Sequence, residues 1–344
     1  MEFRKLGKTD IDVSVICLGT MTFGQQNSEA EAHEQLDYAI AQDVNFIDTA
    51  ELYAVPAKAE TQGLTEQYIG TWLAKRGKRD DLIIATKIAG PGPYTKHIRD
   101  VSDYSKVSIS DGVDKSLKRL QTDYIDLYQL HWPARRTNFF GVRGYHKKDA
   151  WENNLLEVLQ GLEAQVKAGK IRHIGISNET PWGLMTYLQL AEKNGLPRLM
   201  SIQNPYSLLN RAFEVGLSEI AIHEEVGLLA YSPMAFGRLS GKYIGGTDRP
   251  ESRINQFGQM SRYNSDQCIS ATAKYNEIAI KYGMTLAQMS LAWVNQQQFV
   301  TANIIGATNL SQLKENIGSM DITLSKECVK EINAVQELIP NPAP

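Results

Sequence analysis

Eight short apolar runs, spread along the whole chain, constrain the fold more than any other feature of the sequence. Most are rich in isoleucine, valine and leucine and do not alternate cleanly between apolar and polar residues. This pattern is typical of strands that are covered on both faces. The predicted strands are Val15–Leu18, Val44–Ile47, Leu82–Thr86, Ile125–Leu130, Ile171–Ile176, Leu199–Gln203, Leu228–Tyr231 and Ala302–Ile305.

Helical patterns lie between these runs. Strands that alternate with helices form a parallel sheet. Eight such units without a repeated motif predict a (β/α)8 TIM barrel, and an open doubly wound sheet is the alternative. Four helices are indicated by the stripes Leu36, Ala39 and Ile40; Ile69, Trp72 and Leu73; Val113, Leu117 and Leu120; and Leu155, Leu159, Leu162 and Val166, and the others fall at 181–194, 213–225, 266–282 and 311–318.

Further elements are expected at the two ends of the barrel. Residues 3–8, leading into Val13, indicate a small N-terminal β-hairpin, and extra C-terminal helices are predicted over 286–296 and 325–337. No internal boundary is convincing, so we expect a single domain over residues 1–344. Because Pro340–Pro344 is rich in proline, we expect a loose tail over 340–344.

The chain is longer than the roughly 250 residues of a typical barrel. Its excess lies in polar or Gly/Pro-rich stretches at 89–109, 132–153 and 237–265. Each stretch follows a predicted strand, so all of them are expected at the catalytic face of a barrel. The role of the stretch at 89–109 stays open at this level.

Composition excludes several classes of function. Lysine and arginine total 36, aspartate and glutamate total 39, and the net charge is −3, which argues against a dedicated binder of nucleic acid or anionic membranes. No apolar run reaches the ~18 residues of a membrane span, and the charged start Met1–Lys5 lacks the apolar region of a signal peptide. Cys17, Cys268 and Cys328, without a C-x-x-C motif, indicate free thiols in a reducing cytoplasm.

Polar side chains follow three consecutive predicted strands at the points where those strands end. Asp48 and nearby Tyr53 follow the second strand, Lys87 follows the third and His131 the fourth. Active sites in barrels of this class lie at the C-terminal ends of the strands. Because neighbouring strands are about 4.8 Å apart, these side chains are expected to converge.

The chemistry of this set fits proton donation to a carbonyl oxygen. A tyrosine phenol has a pKa of about 10, and an ammonium beside it is expected to lower that pKa. Asp48 would hold Lys87 in place, and a neutral His131 would donate a hydrogen bond. This arrangement suits the addition of a hydride, which a cofactor must supply, to a carbonyl group.

Each of these residues also has a plain structural interpretation. Asp48 alone fits a helix cap or a salt-bridge partner, and Tyr53 alone fits packing within a loop. Lys87 alone fits a solvated charge, and His131 alone fits a core histidine with satisfied hydrogen bonds. Their occurrence together at strand ends favours a functional site.

The stretches after the last two strands fit a phosphate site. No G-x-G-x-x-G follows a strand and no P-loop motif occurs, so a Rossmann site is not expected. Barrels often bind phosphate at the loops after strands seven and eight. Here those loops contain Gly237, Gly241, Lys242, Arg253 and Gly306, and solvated loop charges are the alternative for Lys242 and Arg253.

At this set of residues the chain resembles the aldo-keto reductases. The stretch Asp48–Tyr53, Lys87 and His131 look like the catalytic tetrad of that family. The resemblance covers nearly the whole chain and is greatest to the bacterial Tas-like branch, which is itself similar to potassium-channel β-subunits. The stretches that carry it are Leu18–Gly24, Glu60–Glu66, Gly175–Asn178, Gln203–Arg211, Ala230–Pro233, Ile305–Thr308 and Gln312–Asn316.

The resemblance implies an NADP(H)-dependent carbonyl reductase in which Tyr53 is the general acid. Lys87 and Asp48 would tune Tyr53, and His131 would orient the carbonyl group. Ser177, Asn178 and Gln203 would hold the nicotinamide carboxamide, Tyr231 would stack on the ring, and the loop Ser232–Lys242 would cover the pyrophosphate. Lys242, Arg253, Thr308 and Gln312 would grip the 2′-phosphate and ribose, and Glu315 and Asn316 the adenine. The remaining expected cofactor contacts are Gly19, Thr20, Met21, Met234, Gly237, Leu239 and Gly306.

A small-molecule carbonyl compound is the expected partner. Phe23, Trp132 and Phe139 are predicted to line its apolar pocket, together with Met21 and Tyr53. Arg135 and Arg136 would either attract an acidic substrate or face water, and we favour water.

Two other functions compete with the reductase. A regulatory protein that senses bound NADPH would carry the same residues and reduce carbonyls slowly. A metal-dependent hydrolase on the same barrel lacks its ligands, since neither H-x-H nor H-E-x-x-H occurs. The sequence names neither the physiological substrate nor the oligomeric state.

Overall fold

Eight parallel strands close into a barrel in the computed structural model, which describes residues 1–146, 151–245, 254 and 262–343. The prediction of a (β/α)8 barrel is confirmed, and the open sheet is wrong because the last strand, β10, pairs with the first barrel strand, β3. The barrel strands are β3 (Ile16–Gly19), β4 (Phe46–Asp48), β5 (Ile83–Ile88), β6 (Ile125–Leu130), β7 (Ile171–Ser177), β8 (Leu199–Pro205), β9 (Gly227–Tyr231) and β10 (Val300–Ile305).

Helices connect the strands on the outside of the barrel. Where the sequence predicts one helix over 213–225, the structure has a 3-10 turn at Ala212–Glu214 and then a short helix, because Gly216 adopts a φ of 93° between them. The helices of the described residues are α1 (Glu29–Ala41), α2 (Leu64–Arg76), α3 (Lys106–Leu120), α4 (Leu155–Lys167), α5 (Pro181–Asn194), α6 (Leu217–His223), α7 (Asp266–Lys281), α8 (Leu286–Asn295), α9 (Leu310–Gly318) and α10 (Lys326–Leu338), with further 3-10 turns at Pro93–Thr95, Ala235–Ser240 and Ser319–Asp321.

The N-terminal hairpin closes the end of the barrel opposite the strand C-termini. Its strands β1 (Phe3–Lys5) and β2 (Asp12–Ser14) pair antiparallel, as predicted. Leu6 and Val13 are fully buried in one cluster with Cys17 and Phe46 of the barrel. Burying a side chain of this size contributes roughly 1.5–3 kcal/mol. The barrel is therefore plugged at one end, and its open end carries the site.

Two apolar layers hold the architecture rigid. The inner layer fills the barrel with side chains such as Leu127 and Leu229. The outer layer lies between strands and helices, with residues such as Ile84, Val113 and Leu159. The helices of this layer approach closely: at Gly70 of α2 a Cβ atom would lie 2.1 Å from the carbonyl oxygen of Arg119 at the end of α3. Only glycine permits that approach.

The C-terminal tail is packed, so the prediction of a loose segment over 340–344 is wrong for residues 341–343. Ala343 is fully buried, and its N–H donates to the carbonyl oxygen of Leu209 at 3.0 Å. The backbone N–H of Arg211 donates to Oδ1 of Asn341 at 2.7 Å. The proline-rich end has little propensity for helix or strand. It is held instead by these contacts with a loop that is distant in sequence.

None of the helices in the described part of the chain combines the length and apolar character that crossing a membrane requires.

Candidate active site

A buried ion pair lies at the open end of the barrel, where β4 and β5 end. Lys87 and Asp48 are both buried, and Nζ of Lys87 donates to Oδ2 of Asp48 at 2.6 Å and to the carbonyl oxygen of Thr49 at 2.7 Å. Burial alone lowers the pKa of Lys87, but the neighbouring Asp48 and Tyr53 outweigh it and the pKa is raised. Lys87 is therefore a fixed cation.

The second oxygen of Asp48 is held by two amide side chains. Nε2 of Gln203 donates to Oδ1 of Asp48 at 2.8 Å, and Nε2 of Gln129 donates to the same atom at 3.3 Å. Gln129 was not predicted. Gln129 lies on β6, where it is the register partner of Lys87. His131 directly follows that strand, two residues after Gln129, so strand alternation places both side chains on the same face. That periodicity is the signal that could have identified it.

Tyr53 lies above this ion pair, as its sequence position predicts. Its ring centroid is 5.0 Å from Nζ of Lys87 and 5.6 Å from the ring of His131. The expected lowering of the pKa of Tyr53 by Lys87 is only part of the outcome. Burial raises the pKa of Tyr53 and dominates, while the Lys87 ammonium opposes it. The hydroxyl consequently keeps its proton at neutral pH.

His131 is neutral, as predicted from the sequence. Burial, and next the charge of Lys87, lower the pKa of His131 well below its ordinary value. Its buried Nδ1 has no hydrogen-bond partner among the described residues. The backbone of His131 is fixed, because its N–H donates to the carbonyl oxygen of Ile88 at 3.0 Å and its carbonyl oxygen accepts from Nδ2 of Asn178 at 2.8 Å.

The loop that carries Tyr53 is tied to the stretch at 89–109, whose role the sequence left open. Arg99 of that stretch donates to both carboxylate oxygens of the buried Glu51, at 2.9 and 2.6 Å. Oε1 of Glu51 also accepts the N–H of Ala89 at 2.7 Å. The only sequence signal for this contact is a carboxylate, Glu51, in the stretch that leads to Tyr53. Its partner Arg99 could not be identified from sequence spacing.

The structure brings together the residues predicted to hold a nicotinamide group. The hydroxyl of Tyr231 donates to Oδ1 of Asn178 at 2.6 Å, and Oγ of Ser177 donates to the carbonyl oxygen of Gln203 at 2.8 Å. Asn178 adopts a φ of 58°, a conformation that asparagine tolerates better than most residues. Side-chain amides, a hydroxyl and an aromatic ring therefore meet at one place.

These groups border a cavity of about 450 Å³. Lys87 lies beneath it and does not line it. The other three predicted catalytic residues and ten of the predicted cofactor contacts do line it: Asp48, Tyr53, His131, Gly19, Thr20, Met21, Ser177, Asn178, Gln203, Tyr231, Ser232, Met234 and Gly306.

The remaining predicted cofactor residues that the structure describes lie outside the lining of this cavity. Leu239 is fully buried, and Gly237 adopts a φ of 94°. The ammonium of Lys242 lies 5.2 Å from the ring of Tyr243. Arg253 lies outside the described residues.

The residues after β10 that were predicted to hold the 2′-phosphate, the ribose and the adenine pair with one another and with nearby residues. Oε1 of Gln312 accepts from the N–H and from Oγ1 of Thr308, both at 3.1 Å. Nδ2 of Asn316 donates to the carbonyl oxygen of Gly306 at 3.2 Å. Glu315 accepts from Oγ1 of Thr285 at 2.7 Å.

Two of the predicted pocket residues need correction. Trp132 lines the cavity, but Phe23 is fully buried in the outer core and Phe139 is not among the lining residues. Phe140 takes that place, and its ring contacts that of Phe139 edge-on with the centroids 5.3 Å apart. Apolar character alone could not separate a wall residue from the core. Pro233 and Phe236 of the predicted loop Ser232–Lys242 also line the cavity, and the lining residues that were not predicted are Thr22, Leu52, Val55, Ala57, Phe140, Arg262, Ile304 and Ile305.

Arg135 neither faces water nor lines the cavity, so both interpretations of it are wrong. It is buried and pairs with both carboxylate oxygens of Glu179, one of them at 3.0 Å. Its guanidinium lies 5.5 and 4.9 Å from the rings of Trp151 and Trp182. Glu179 directly follows Asn178, so this pair joins the loops after β6 and β7.

The described residues contain no group of three or more His, Cys, Asp or Glu side chains placed to hold a metal ion. Cys17, Cys268 and Cys328 are buried free thiols.

Known proteins resemble the chain over most of its length. The model of the aldo/keto reductase family matches residues 15–337. The chain is 51% identical to "Protein tas" of Escherichia coli strain K12 over the full length of both. It is 34% identical to "Uncharacterized oxidoreductase YrpG" of Bacillus subtilis over 99% of this chain and 97% of that protein. It is also 29% identical to "Probable voltage-gated potassium channel subunit beta" of Arabidopsis thaliana, over 94% and 92%.

Proposed function

Because the chain belongs to the aldo/keto reductase family, we propose that it reduces aldehydes or ketones to alcohols with NADPH as the hydride source. The observation that carries this proposal is the protonation state of two side chains on the cavity wall. Tyr53 keeps its proton above the buried Lys87–Asp48 pair, and His131 is neutral beside it. A protonated phenol and a neutral imidazole at one cavity suit donation to a carbonyl oxygen.

The residues at the cavity fit a nicotinamide group. Its carboxamide has one acceptor and two donors, and Ser177, Asn178 and Gln203 provide complementary groups. The ring of Tyr231 borders the same space and offers a flat apolar face. We also propose that Lys242 and Thr308 contact the 2′-phosphate of the cofactor. NADPH carries this phosphate and NADH lacks it, so we propose NADPH as the hydride source.

NADPH would supply the hydride that adds to the carbonyl carbon. As negative charge develops on the carbonyl oxygen, the hydroxyl of Tyr53 donates its proton to that oxygen. The nearby Lys87 ammonium stabilises the phenolate that remains until a proton returns from solvent. His131 orients the carbonyl oxygen by a hydrogen bond, and the amides of Gln129 and Gln203 keep Asp48 in position to hold Lys87.

A second candidate is a regulatory protein that binds NADPH and reduces carbonyls slowly. The similarity to the Arabidopsis protein named as a channel subunit favours including it. Tight NADPH binding combined with very slow turnover of every aldehyde tested would favour this second function. For the location in the cell we propose the cytoplasm, supported by three buried free thiols.

The test compares the wild type with Tyr53→Phe in the oxidation of NADPH by a panel of small aldehydes. We expect kcat to fall by roughly 10²–10⁴-fold, because the general acid is lost. The Kd for NADPH, measured by fluorescence, should change less than about threefold, since Phe retains the ring, and wild-type affinity for NADH should be weaker.

Tyr145→Phe, at an exposed site on the loop after β6, is the matched control and should leave both quantities unchanged. Full turnover in Tyr53→Phe would contradict the assigned role.

A further inference from the structure

One cationic side chain on the cavity wall has no role in the proposed reaction. Among the described residues that line the cavity, Arg262 is the only lysine or arginine. Asp48, the carboxylate of that lining, is already neutralised by Lys87 from below. Among the described lining residues, Arg262 is therefore a positive charge that no carboxylate of the lining compensates.

Arg262 differs from the other buried or half-buried arginines in its partners. Arg99, Arg119 and Arg135 each form an ion pair with a carboxylate. Arg238 has no carboxylate, but its guanidinium donates to the carbonyl oxygen of Tyr263 and to Asn264. Within the described part of the chain no acidic side chain pairs with Arg262, and its Nε is buried without a hydrogen-bond partner. A guanidinium cannot lose its proton at neutral pH, so Arg262 is a permanent cation that lacks an acidic counter-ion among the residues the structure describes.

Aromatic rings hold the Arg262 side chain in place. Its Cζ lies 5.0 Å from the ring centroid of Phe236 and 5.2 Å from that of Tyr263. These two rings contact each other edge-on at 5.1 Å. Burial raises the pKa of the Tyr231 hydroxyl, and the Arg262 charge opposes that rise from close by. The cation is thus fixed beside the face of the cavity that Tyr231 forms.

A buried charge without a partner is costly, and a ligand anion that pairs with it removes the cost. The planar guanidinium matches two oxygens of a carboxylate or phosphate at once. We propose that Arg262 binds an oxyanionic group of the ligand that fills this cavity. Two ligand groups carry that chemistry: a carboxylate on the carbonyl substrate, or a phosphate of the dinucleotide. This inference rests on the proposed function for the identity of those ligands.

The experiment measures binding, so that it does not depend on turnover. Benzoate and its neutral isostere benzamide are titrated by calorimetry, and NADPH by fluorescence, into the wild type, Arg262→Gln, Arg262→Lys and Arg143→Gln. Arg143 is exposed, follows β6 and does not line the cavity, so it controls for a general loss of positive charge.

If the substrate carries the anion, Arg262→Gln weakens benzoate binding about tenfold or more and leaves benzamide and NADPH unchanged. If the cofactor carries it, the variant weakens NADPH binding by a similar factor. In both cases Arg262→Lys keeps part of the affinity, because its charge remains, and Arg143→Gln behaves as the wild type.

The proposal is overturned if a folded Arg262→Gln protein binds benzoate and NADPH as tightly as the wild type does. Should that variant fail to fold, two other results together overturn the proposal. The wild type would bind benzoate and benzamide equally well, and Arg262→Lys would bind NADPH as tightly as the wild type does. An Arg262-dependent anion site in a protein that reduces no aldehyde would support the inference and contradict the proposed reductase function.

Discussion

At the scale of single residues, burial decides which side chains of the site carry a proton. Burial raises the pKa of Tyr53 and lowers that of His131, so both are neutral at pH 7. Lys87 stays charged because Asp48 and Tyr53 outweigh the effect of its burial. One ion pair and two neutral hydrogen-bonding groups result. This distribution of protons suits reduction of a carbonyl group without any residue changing its charge before the substrate arrives.

The lowered pKa of His131 predicts a loss of stability in mild acid. In the unfolded chain a histidine takes up a proton below about pH 6.5, whereas folded His131 does not. The contribution of His131 to the free energy of unfolding is therefore present above that pH and decreases as the pH falls. Between about pH 6.5 and about pH 5.5 this one group costs about 1 kcal/mol.

Urea unfolding measures the free energy of unfolding at both pH values. From the higher to the lower pH this free energy should fall by about 1 kcal/mol less in His131→Gln than in the wild type. His97→Gln, at an exposed site, is the control and should follow the wild type. An identical decrease in His131→Gln would show that folded His131 titrates normally.

At the scale of elements, buried ion pairs connect the loops that carry the site. The Glu51–Arg99 pair joins the loop after β4 to the stretch at 89–109, and Arg99 also contacts Asp111 of α3 at 3.4 Å. The Arg135–Glu179 pair joins the loops after β6 and β7. Because the first pair lies two residues before Tyr53 and the second directly follows Asn178, each orients a residue at the cavity.

Breaking the first pair should destabilise the protein and impair the reaction. Arg99→Met leaves Glu51 as an unpaired buried carboxylate, which costs about 3–5 kcal/mol. We expect kcat to fall more than NADPH affinity, because the loop of Tyr53 is no longer held.

The double variant Glu51→Gln/Arg99→Met removes the unpaired charge and should recover part of the stability in a double-mutant cycle. Its Gln side chain can still accept the N–H of Ala89. Strictly additive effects of the two substitutions would contradict a direct coupling between Glu51 and Arg99.

At the scale of the whole molecule, the end of the chain ties together parts that are distant in sequence. Ala343 bonds to Leu209 after β8, and the carbonyl oxygen of Pro342 accepts from Sγ of Cys268 in α7 at 3.4 Å. The segment 341–343 therefore lies between the β8 loop and the start of α7.

Deleting residues 341–344 should lower the free energy of unfolding by about 2–3 kcal/mol. The estimate counts two lost hydrogen bonds at about 1 kcal/mol each, from Ala343 N–H to Leu209 and from Arg211 N–H to the Asn341 side chain, and the exposure of a small apolar surface. Chemical unfolding of the deletion variant measures it, with removal of Pro344 alone as the control. Equal stability of the two variants would mean that the tail contacts contribute nothing to the fold.

Local and periodic properties of the sequence were enough to predict the barrel and to group residues that the structure brings together at the candidate site. Runs such as Ile125–Leu130 are apolar because both faces of the strand are covered, and that is visible in the composition of the run. Asp48, Lys87 and His131 could be grouped because each directly follows such a run, and closed parallel strands bring their C-terminal ends together.

Contacts between distant segments could not be read in this way, and only the tertiary structure decided them. Phe23 and Phe140 are both apolar loop residues, yet one lies in the core and the other on the cavity wall. The burial of Arg135 depends on Glu179, and the packing of Ala343 depends on Leu209. The physical reason is that the free energy of these contacts comes from desolvation and pairing between segments whose relative positions exist only after the barrel has closed.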